Sequence, residues 1–391
     1  MNALANIATT NTVAAVSTAS LDYSVFKKAM TNACKVVEKK NTIPVLDTVL
    51  ITACRKGAYI LGTDLDLFTT TFVPGTIDQD FVAVIDAHKL KSTMDKVKDA
   101  ATIDFVKDGE HLVASIGKLK LTLRQDIPRP DFPEEAEFRT GLKKSNASFM
   151  LPAPKLADIL AKISFAISTE ETRYYLNGVF MHIAHKDQLT FATTDGHRLA
   201  CYKMPAPAGA EALDHGVIIP RKTVTELLRL LRRKGCPADV MVTATETGVS
   251  FLIGEDELLE SKVIDGTFPD YQRVIPMRNE HKVPVRTAAF IDALKQASSI
   301  SSERSRASKL TLSPGQLVVT CHNPDFGTAS TELIVDHEVT LEIGFNVPYL
   351  LQILGQMDGG AMMELGDAGD PVIIKDGADD GITYVLMPMR A

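Results

Sequence analysis

The stretch Ala192-Thr193-Thr194-Asp195-Gly196-His197 has a counterpart at Leu61-Gly62-Thr63-Asp64-Leu65-Asp66 and a third at Thr320-Cys321-His322-Asn323. Asp64 and Asp195 lie 131 residues apart, and Asp195 and Asn323 lie 128 apart. Around each polar turn the pattern recurs: a helix-like start, strands on either side of the turn, a second helix and a closing group of strands. A chain of 391 residues exceeds the roughly 250–300 at which a single core stops growing, so several domains are expected. The repeat selects three, at 21–146, 147–279 and 280–391, after a short segment 1–20. Each reads as two smaller halves with one helix apiece, an α+β unit whose helices pack on antiparallel sheets.

Apolar spacing places the helices. In the first unit Phe26, Met30, Cys34 and Val37 recur at helical spacing over 23–38, and a second helix follows over 87–98. The second unit has helices over 152–167 and 221–234, and the third over 287–299 and 347–356. Strands are expected at 45–53, 58–61, 67–73, 81–85, 102–107, 111–116 and 118–124. The loop 126–137, with three prolines, closes the first unit. Residues 1–21 carry no charge and lack the basic start of a secretory signal; they read as a flexible extension running into a first edge strand near Val13 to Ser17.

The composition, 45% hydrophobic and 23% charged, is that of a globular protein. No apolar run approaches the roughly 20 residues of a bilayer crossing, which predicts a soluble protein. Five singly scattered cysteines without a paired framework predict reduced thiols in the cytoplasm and argue against a zinc site. The net charge of −7 argues at face value against nucleic acid. Its distribution does not. Lys27, Lys28, Lys35, Lys39 and Lys40, then Lys89, Lys91, Lys96 and Lys98, then Arg221, Lys222, Arg229, Arg232, Arg233 and Lys234 cluster on predicted helices. Acidic residues gather in turns and strands, as at Asp126, Asp131, Glu134, Glu135 and Glu137. An acidic shell with basic helices on one face can hold a polyanion there; each cluster taken singly reads better as a solvated helix face.

Chemistry has few footholds. Asp195 and His197, two apart, could bind a metal or relay a proton, but Asp-Gly is also an ordinary hairpin turn and no further ligand stands at metal spacing. Asp64 and Asp66 offer a carboxylate pair that strand alternation explains as well. The chain has no G-x-S-x-G elbow, no phosphate-binding loop and no dinucleotide fingerprint. Met387-Pro388-Met389 places polarizable side chains at a terminus just after a strand, and Phe268-Pro269-Asp270-Tyr271 puts two aromatics in a turn.

Six motifs, in order, carry a resemblance over about residues 20 to 391: Asn41-Thr42-Ile43-Pro44-Val45-Leu46, Arg173-Tyr174-Tyr175-Leu176-Asn177-Gly178, Thr194-Asp195-Gly196-His197-Arg198-Leu199-Ala200, Ile219-Pro220-Arg221-Lys222, Phe268-Pro269-Asp270-Tyr271, and Tyr384-Val385 through Met387-Pro388-Met389-Arg390. The chain resembles the beta subunit of bacterial DNA polymerase III, the sliding-clamp family. The resemblance implies a DNA-clamp fold of three similar domains and a head-to-tail homodimer of six, closing a ring around duplex DNA. It implies a processivity factor with no catalysis and no cofactor or metal, whose partners are double-stranded DNA, the polymerase catalytic subunit, the clamp-loader ATPase and other proteins bearing a clamp-binding motif, with no membrane.

By the same resemblance, partner peptides dock in a pocket of Leu176, Thr194, Gly196, His197, Arg198, Leu199, Pro269, Val274, Pro371, Val385, Met387, Pro388 and Met389, with Arg390 at its edge. Lys40, Arg173, Tyr174, Tyr175, Arg221 and Lys222 stand where the family contacts DNA, and Leu121 and Ile300 near its dimer interface. Glu170 stands near a position where an uncharged polar residue is more usual, and Ala391 where a larger apolar one is common. Two other readings stay open at this level: a metal-dependent hydrolase built on Asp195 and His197, and a monomeric scaffold that binds peptides and not DNA.

Overall fold

A computed structural model describes residues 17–39, 42–109, 111–125, 127–133, 136–145, 147–184, 187–213, 215–301 and 306–390. Lys40, Ala391 and the expected edge-strand residues Val13 to Val16 lie outside them. Seven α-helices occur among the described residues: α1 Tyr23–Val36, α2 Ala87–Met94, α3 Glu137–Leu142, α4 Ala153–Ile163, α5 Arg221–Leu231, α6 Thr287–Ala297 and α7 Val347–Leu354. They pack in pairs, α1 with α2, α4 with α5 and α6 with α7, one pair for each repeat. Asp22, Asp86 and Asn346 cap α1, α2 and α7, each accepting from the backbone N–H three residues on.

The chain divides into two compact units, 1–144 with 250–261, and 145–249 with 262–391. In the first, the strand Leu67–Ile77 is the hub. It pairs with Gly57–Thr63 on one side, with 257–261 on the other, and near its end with Ser17–Asp22. Beneath the strands lies a core of Phe26, Met30, Ile51, Ile60 and Phe105. In the second unit eight strands form one antiparallel sheet, in the order Val217–Pro220, Gly178–Ala184, Gln188–Thr194, Arg198–Pro205, Asp379–Leu386, Val372–Asp376, Ala361–Leu365 and His281–Val285. A separate sheet orders Gly327–Ile334, Gln316–Asn323, Ala307–Ser313 and Leu341–Asn346.

The three polar turns share one chemistry. Asp64 Oδ1 accepts from the amides of Asp66 and Leu67, Asp195 Oδ1 from those of His197 and Arg198, and Asn323 Oδ1 from that of Asp325. Each is a side chain that closes a hairpin on its own backbone. The residue after the first two aspartates has positive φ, +88° at Gly196 and +82° at Leu65. Leucine bears a steric cost there that glycine does not.

Three expectations are corrected. The strand Ser17–Asp22 is no edge: it pairs with Leu67–Ile77 and with Thr102–Asp108, and it buries Ser17, Ala19 and Leu21 on alternate positions. The strand expected over 45–53 begins as a 3-10 turn, Pro44–Asp47, because Pro44 fixes the backbone; the strand itself is Thr48–Cys54. After the proline-rich segment the chain does not remain a loop. It forms α3, whose Phe138 and Leu142 join Phe132, Leu50, Leu61 and Phe68 in a second core.

Arg139 of α3 places Nε and Nη2 at 2.9 and 2.7 Å from Glu260 Oε2, and its guanidinium lies 4.8 Å from the Phe68 ring centre. The Glu260 side chain is 6% exposed. Removing one member of a buried pair strands the other's charge at a cost of about 3–5 kcal/mol, whereas apolar replacement of both is often neutral. Arg139→Met should therefore lower the chemical-denaturation midpoint sharply, and Arg139→Met with Glu260→Met should recover most of it.

Candidate functional site

The seam of the second unit is the pairing of Arg198–Tyr202 with Ile382–Leu386, in the register Arg198↔Leu386, Leu199↔Val385, Ala200↔Tyr384. Beyond the register the Met387 N–H donates to the His197 carbonyl at 2.9 Å, and the Met389 N–H to the Gly344 carbonyl at 2.9 Å. The chain end is thus tied to the turn that opens the neighbouring strand. Strand alternation then sorts the side chains onto two faces.

On one face Leu199 and Val385 stand opposite each other and pack with Leu176, Ile373, Phe268 and Tyr271 into a buried apolar floor. Of the other residues expected in the pocket, Val274, Met387 and Met389 remain 47%, 40% and 40% exposed, and Gly196, His197, Pro269 and Arg390 are exposed as well. Pro371, at the start of Val372–Asp376, offers its carbonyl to Asn279 Nδ2 at 2.9 Å. Pro388, Met389 and Arg390 border an open cavity of about 370 Å³ with Lys309, Glu342 and Gly344. Exposed methionines beside a buried apolar floor form an adaptable surface for apolar side chains.

On the other face Arg198 is 8% exposed and fully engaged. Its Nε donates to Asp195 Oδ2 at 2.9 Å, Nη2 to the Phe165 carbonyl at 2.8 Å and Nη1 to Gln352 Oε1. Its guanidinium lies 4.3 and 4.9 Å from the ring centres of Tyr349 and Phe165. The Asp195 carboxylate is divided between two turn amides and Arg198, and Thr194 Oγ1 donates to the Arg198 carbonyl. This engagement speaks against a hydrolase built on Asp195 and His197, since the carboxylate has structural partners on both oxygens.

Five of the six residues expected at DNA, all but Lys40, lie in two neighbouring segments. Arg173, Tyr174 and Tyr175 lie in the 3-10 segment Glu171–Leu176, and the Arg221 N–H donates to the Asn177 carbonyl at 3.0 Å, which brings the start of α5 beside it. Tyr174, Arg221 and Lys222 are exposed. Arg173 pairs with Glu170 at 3.0 Å, and its Nη1 lies 2.7 Å from where a Cβ on Gly196 would stand. The wider basic clusters are partly neutralised: Lys27 and Lys91 pair with Asp95, Lys28 with Glu257, Lys89 with Asp86 and Arg229 with Glu226. Leu121 sits half-exposed on the edge strand Leu119–Leu123 of the first unit. Ile300 sits in the second unit beside Gly327–Ile334, its carbonyl accepting from Asn323.

Family models for the DNA polymerase III beta subunit match the chain throughout: the N-terminal domain over 20–135, the central domain over 150–270 and the C-terminal domain over 272–390. The chain belongs to the DNA polymerase III beta subunit family. It is 38% identical to the beta sliding clamp of Caulobacter vibrioides over 95% of this chain and 99% of that one, and 31% identical to that of Escherichia coli K12 over 89% and 93%. A DnaN sliding clamp from Bartonella birtlesii, solved bound to griselimycin, superposes with a TM-score of 0.89 at 39% identity, covering 96% of this chain and all of that one. The family places the chain as a DNA polymerase processivity factor.

Motif matching in this clamp-family chain missed the groups beneath the site. Tyr349 stacks on His197 with ring centres 6.1 Å apart and also covers Arg198, while Phe165 and Gln352 complete the cage. Tyr349 and Gln352 carry only the helical periodicity of α7, which any core residue would give, and Phe165 lies in the 3-10 turn Ser164–Ala166 just after α4. Deeper, Tyr271 bonds His182 Nε2 at 2.8 Å, and burial pushes the nearby Cys201 thiol up to about 11, so it stays protonated. Burial likewise holds the His182 imidazole below its ordinary 6.5, with Lys203 acting in the same sense and a backbone hydrogen bond against it. The fold prefers the neutral ring, so this stabilisation is complete above pH 6.5 and fades as pH falls through the lower folded value. The denaturation midpoint should therefore drop between about pH 7 and 5, and His182→Gln should flatten that part of the profile.

Proposed function

We propose that two copies of this chain close head to tail into a ring around duplex DNA, slide along it without base readout, and hold the replicative polymerase and other partners through peptides docked on the Leu176–Leu199–Val385 floor. The observation that carries the peptide reading is that floor. It is a buried apolar base that includes Val385, followed two residues on by exposed Met387 on a chain end tied at both methionine amides. The griselimycin carried by the Bartonella relative supports a ligand site in this family, and we assign it to this floor here. The ring reading draws support from two sheet edges. Leu119–Leu123 ends the sheet of the first unit, and Gly327–Ile334 ends its own sheet with every alternate residue exposed and Phe326 and Ile334 bare at its two ends. Edges left unpaired among the described residues invite a partner strand, and on this reading Leu121 and Ile300 lie near the closure.

DNA is held by Arg173, Tyr174, Tyr175, Arg221 and Lys222 together with other helix cations; Lys40 joins them by alignment. Contacts made to phosphate carry no sequence information and weaken with salt, which suits sliding. Encirclement supplies the persistence, so a net charge of −7 is no obstacle. No step here calls for bond chemistry, and the work is cytoplasmic; no described helix is long and apolar enough to cross a membrane.

Loaded by a clamp-loader ATPase onto closed circular DNA, the protein should stay bound and should leave once the circle is cut; loss at equal rates from both forms would overturn the ring, as would a native mass of one chain. Griselimycin titrated calorimetrically should bind the wild type, and Gly196→Ala should bind it about tenfold more weakly. That substitution puts a methyl group against Arg173 at a positive-φ position and shifts the turn that carries His197.

A further inference from the structure

Beneath the seam one ammonium ion joins three segments of chain. Lys162, in the last turn of α4, is 7% exposed, and its Nζ lies 2.9 Å from Asp379 Oδ2, 3.1 Å from Asp358 Oδ2 and 3.5 Å from Asp158 Oδ2. Asp158 is on α4 itself. Asp358 follows α7, and Asp379 opens the strand that ends in Val385 and Leu386. The same lysine's carbonyl accepts from Tyr384 Oη at 3.2 Å, so both ends of one residue hold that strand. Asp379 is further held by Tyr202 Oη at 3.0 Å and the Gly381 N–H at 3.2 Å, and Lys155 donates to the same Tyr202 hydroxyl.

The segment that follows Lys162 reaches the other wall of the site. The Ile163 carbonyl accepts from Thr193, and the Phe165 carbonyl and ring lie under Arg198. Lys162 thus stands where the support of the 194–198 turn meets the strand that delivers Met387 and Met389. Burial opposes its charge, but the hydrogen bonds it donates to Asp379 and Asp358 outweigh that and raise its pKa; Asp379 is buried too, and bonds donated by Lys162 and Tyr202 lower its own. The three carboxylates differ in one respect. The side chains of Asp358 and Asp158 are 70% and 42% exposed and can turn to water, whereas that of Asp379 is 12% exposed and cannot unless its strand moves.

We propose that Lys162 is a positioning residue for partner binding: its ammonium ion, by satisfying Asp379 at the start of Asp379–Leu386, fixes the strand whose other end presents Met387 and Met389 against the His197 turn. The inference rests on the peptide-docking reading above. Without the cation, the stranded Asp379 carboxylate pulls its strand toward solvent, and the rim loses its spacing while the sheet edges proposed for ring closure keep theirs.

The test is a mutant cycle read by griselimycin titration, with native mass and retention on closed circular DNA as controls. Lys162→Met should weaken binding about tenfold at unchanged mass and retention. Asp379→Asn alone should weaken it by no more than about threefold, and Lys162→Met with Asp379→Asn should return to within about threefold of wild type, because the uncompensated charge is then gone. A lysine that serves stability alone would leave the affinity of the folded Lys162→Met protein unchanged. If Lys162→Met fails to fold, Asp379→Glu, which keeps every charge and displaces the strand end by one methylene, should weaken binding about fivefold. Unaltered affinity in Lys162→Met or in Asp379→Glu, or a double variant as weak as Lys162→Met, would overturn the proposal. A wild type that does not bind griselimycin at all would overturn the docking reading instead.

Discussion

The antiparallel pairing of Arg198–Tyr202 with Ile382–Leu386 is the constraint on which the second unit depends. Those strands come from different repeats, and their ladder turns two sheets into one of eight strands. A two-residue side-chain period then does the rest. Leu199, Cys201 and Val385 fall on the face that Phe268 and Tyr271 close, while Arg198, Ala200 and Tyr384 fall on the face beneath α4 and α7. A register slip of one residue would exchange the faces and put Arg198 into the apolar floor. The buried aromatic and aliphatic side chains on both faces, each worth about 1.5–3 kcal/mol, hold the register against that slip.

Under this sheet the polar groups act by direction more than by net stabilisation. Arg198 and Lys162 are both cations with little exposure, each surrounded by acceptors, and burying them costs much of what their partners return. What they supply is angular definition. Arg198 holds the His197 turn through Asp195, Phe165 and Gln352, and Lys162 holds the opposing strand through Asp379 and Tyr384. The apolar floor is soft by comparison, with methionines that adapt to what they meet. A rigid polar underside beneath an adaptable apolar rim suits the docking of several different peptides proposed for this surface.

Much of this was legible before any coordinates. The helix pairs of the three repeats announced themselves through apolar spacing in α1, α2, α4, α5, α6 and α7, and the polar turns through Asp64, Asp195 and Asn323. The missed elements share a cause. α3 is six residues long, too short for a 3.6-residue period to declare itself after three prolines, and only packing against Phe68 and Leu50 makes it a helix. The strand Ser17–Asp22 looked peripheral because its small residues read as a tail, yet Leu67–Ile77 and Thr102–Asp108 claim both of its sides. The basic clusters read from composition were real as sequence, but several of their members meet carboxylates from elsewhere, as Lys28 does with Glu257.

The linear order of residues determined the repeat, the helix faces, the turn chemistry and the family, because each of those depends on neighbours a few positions away or on motifs read in sequence. Which groups would meet across the seam was decided by the tertiary structure alone. Tyr349 over His197, Phe165 under Arg198, and Lys162 among Asp158, Asp358 and Asp379 join residues up to 217 positions apart. No local propensity encodes such meetings. They follow from the register in which one strand of the central repeat and one of the last agree to share a ladder.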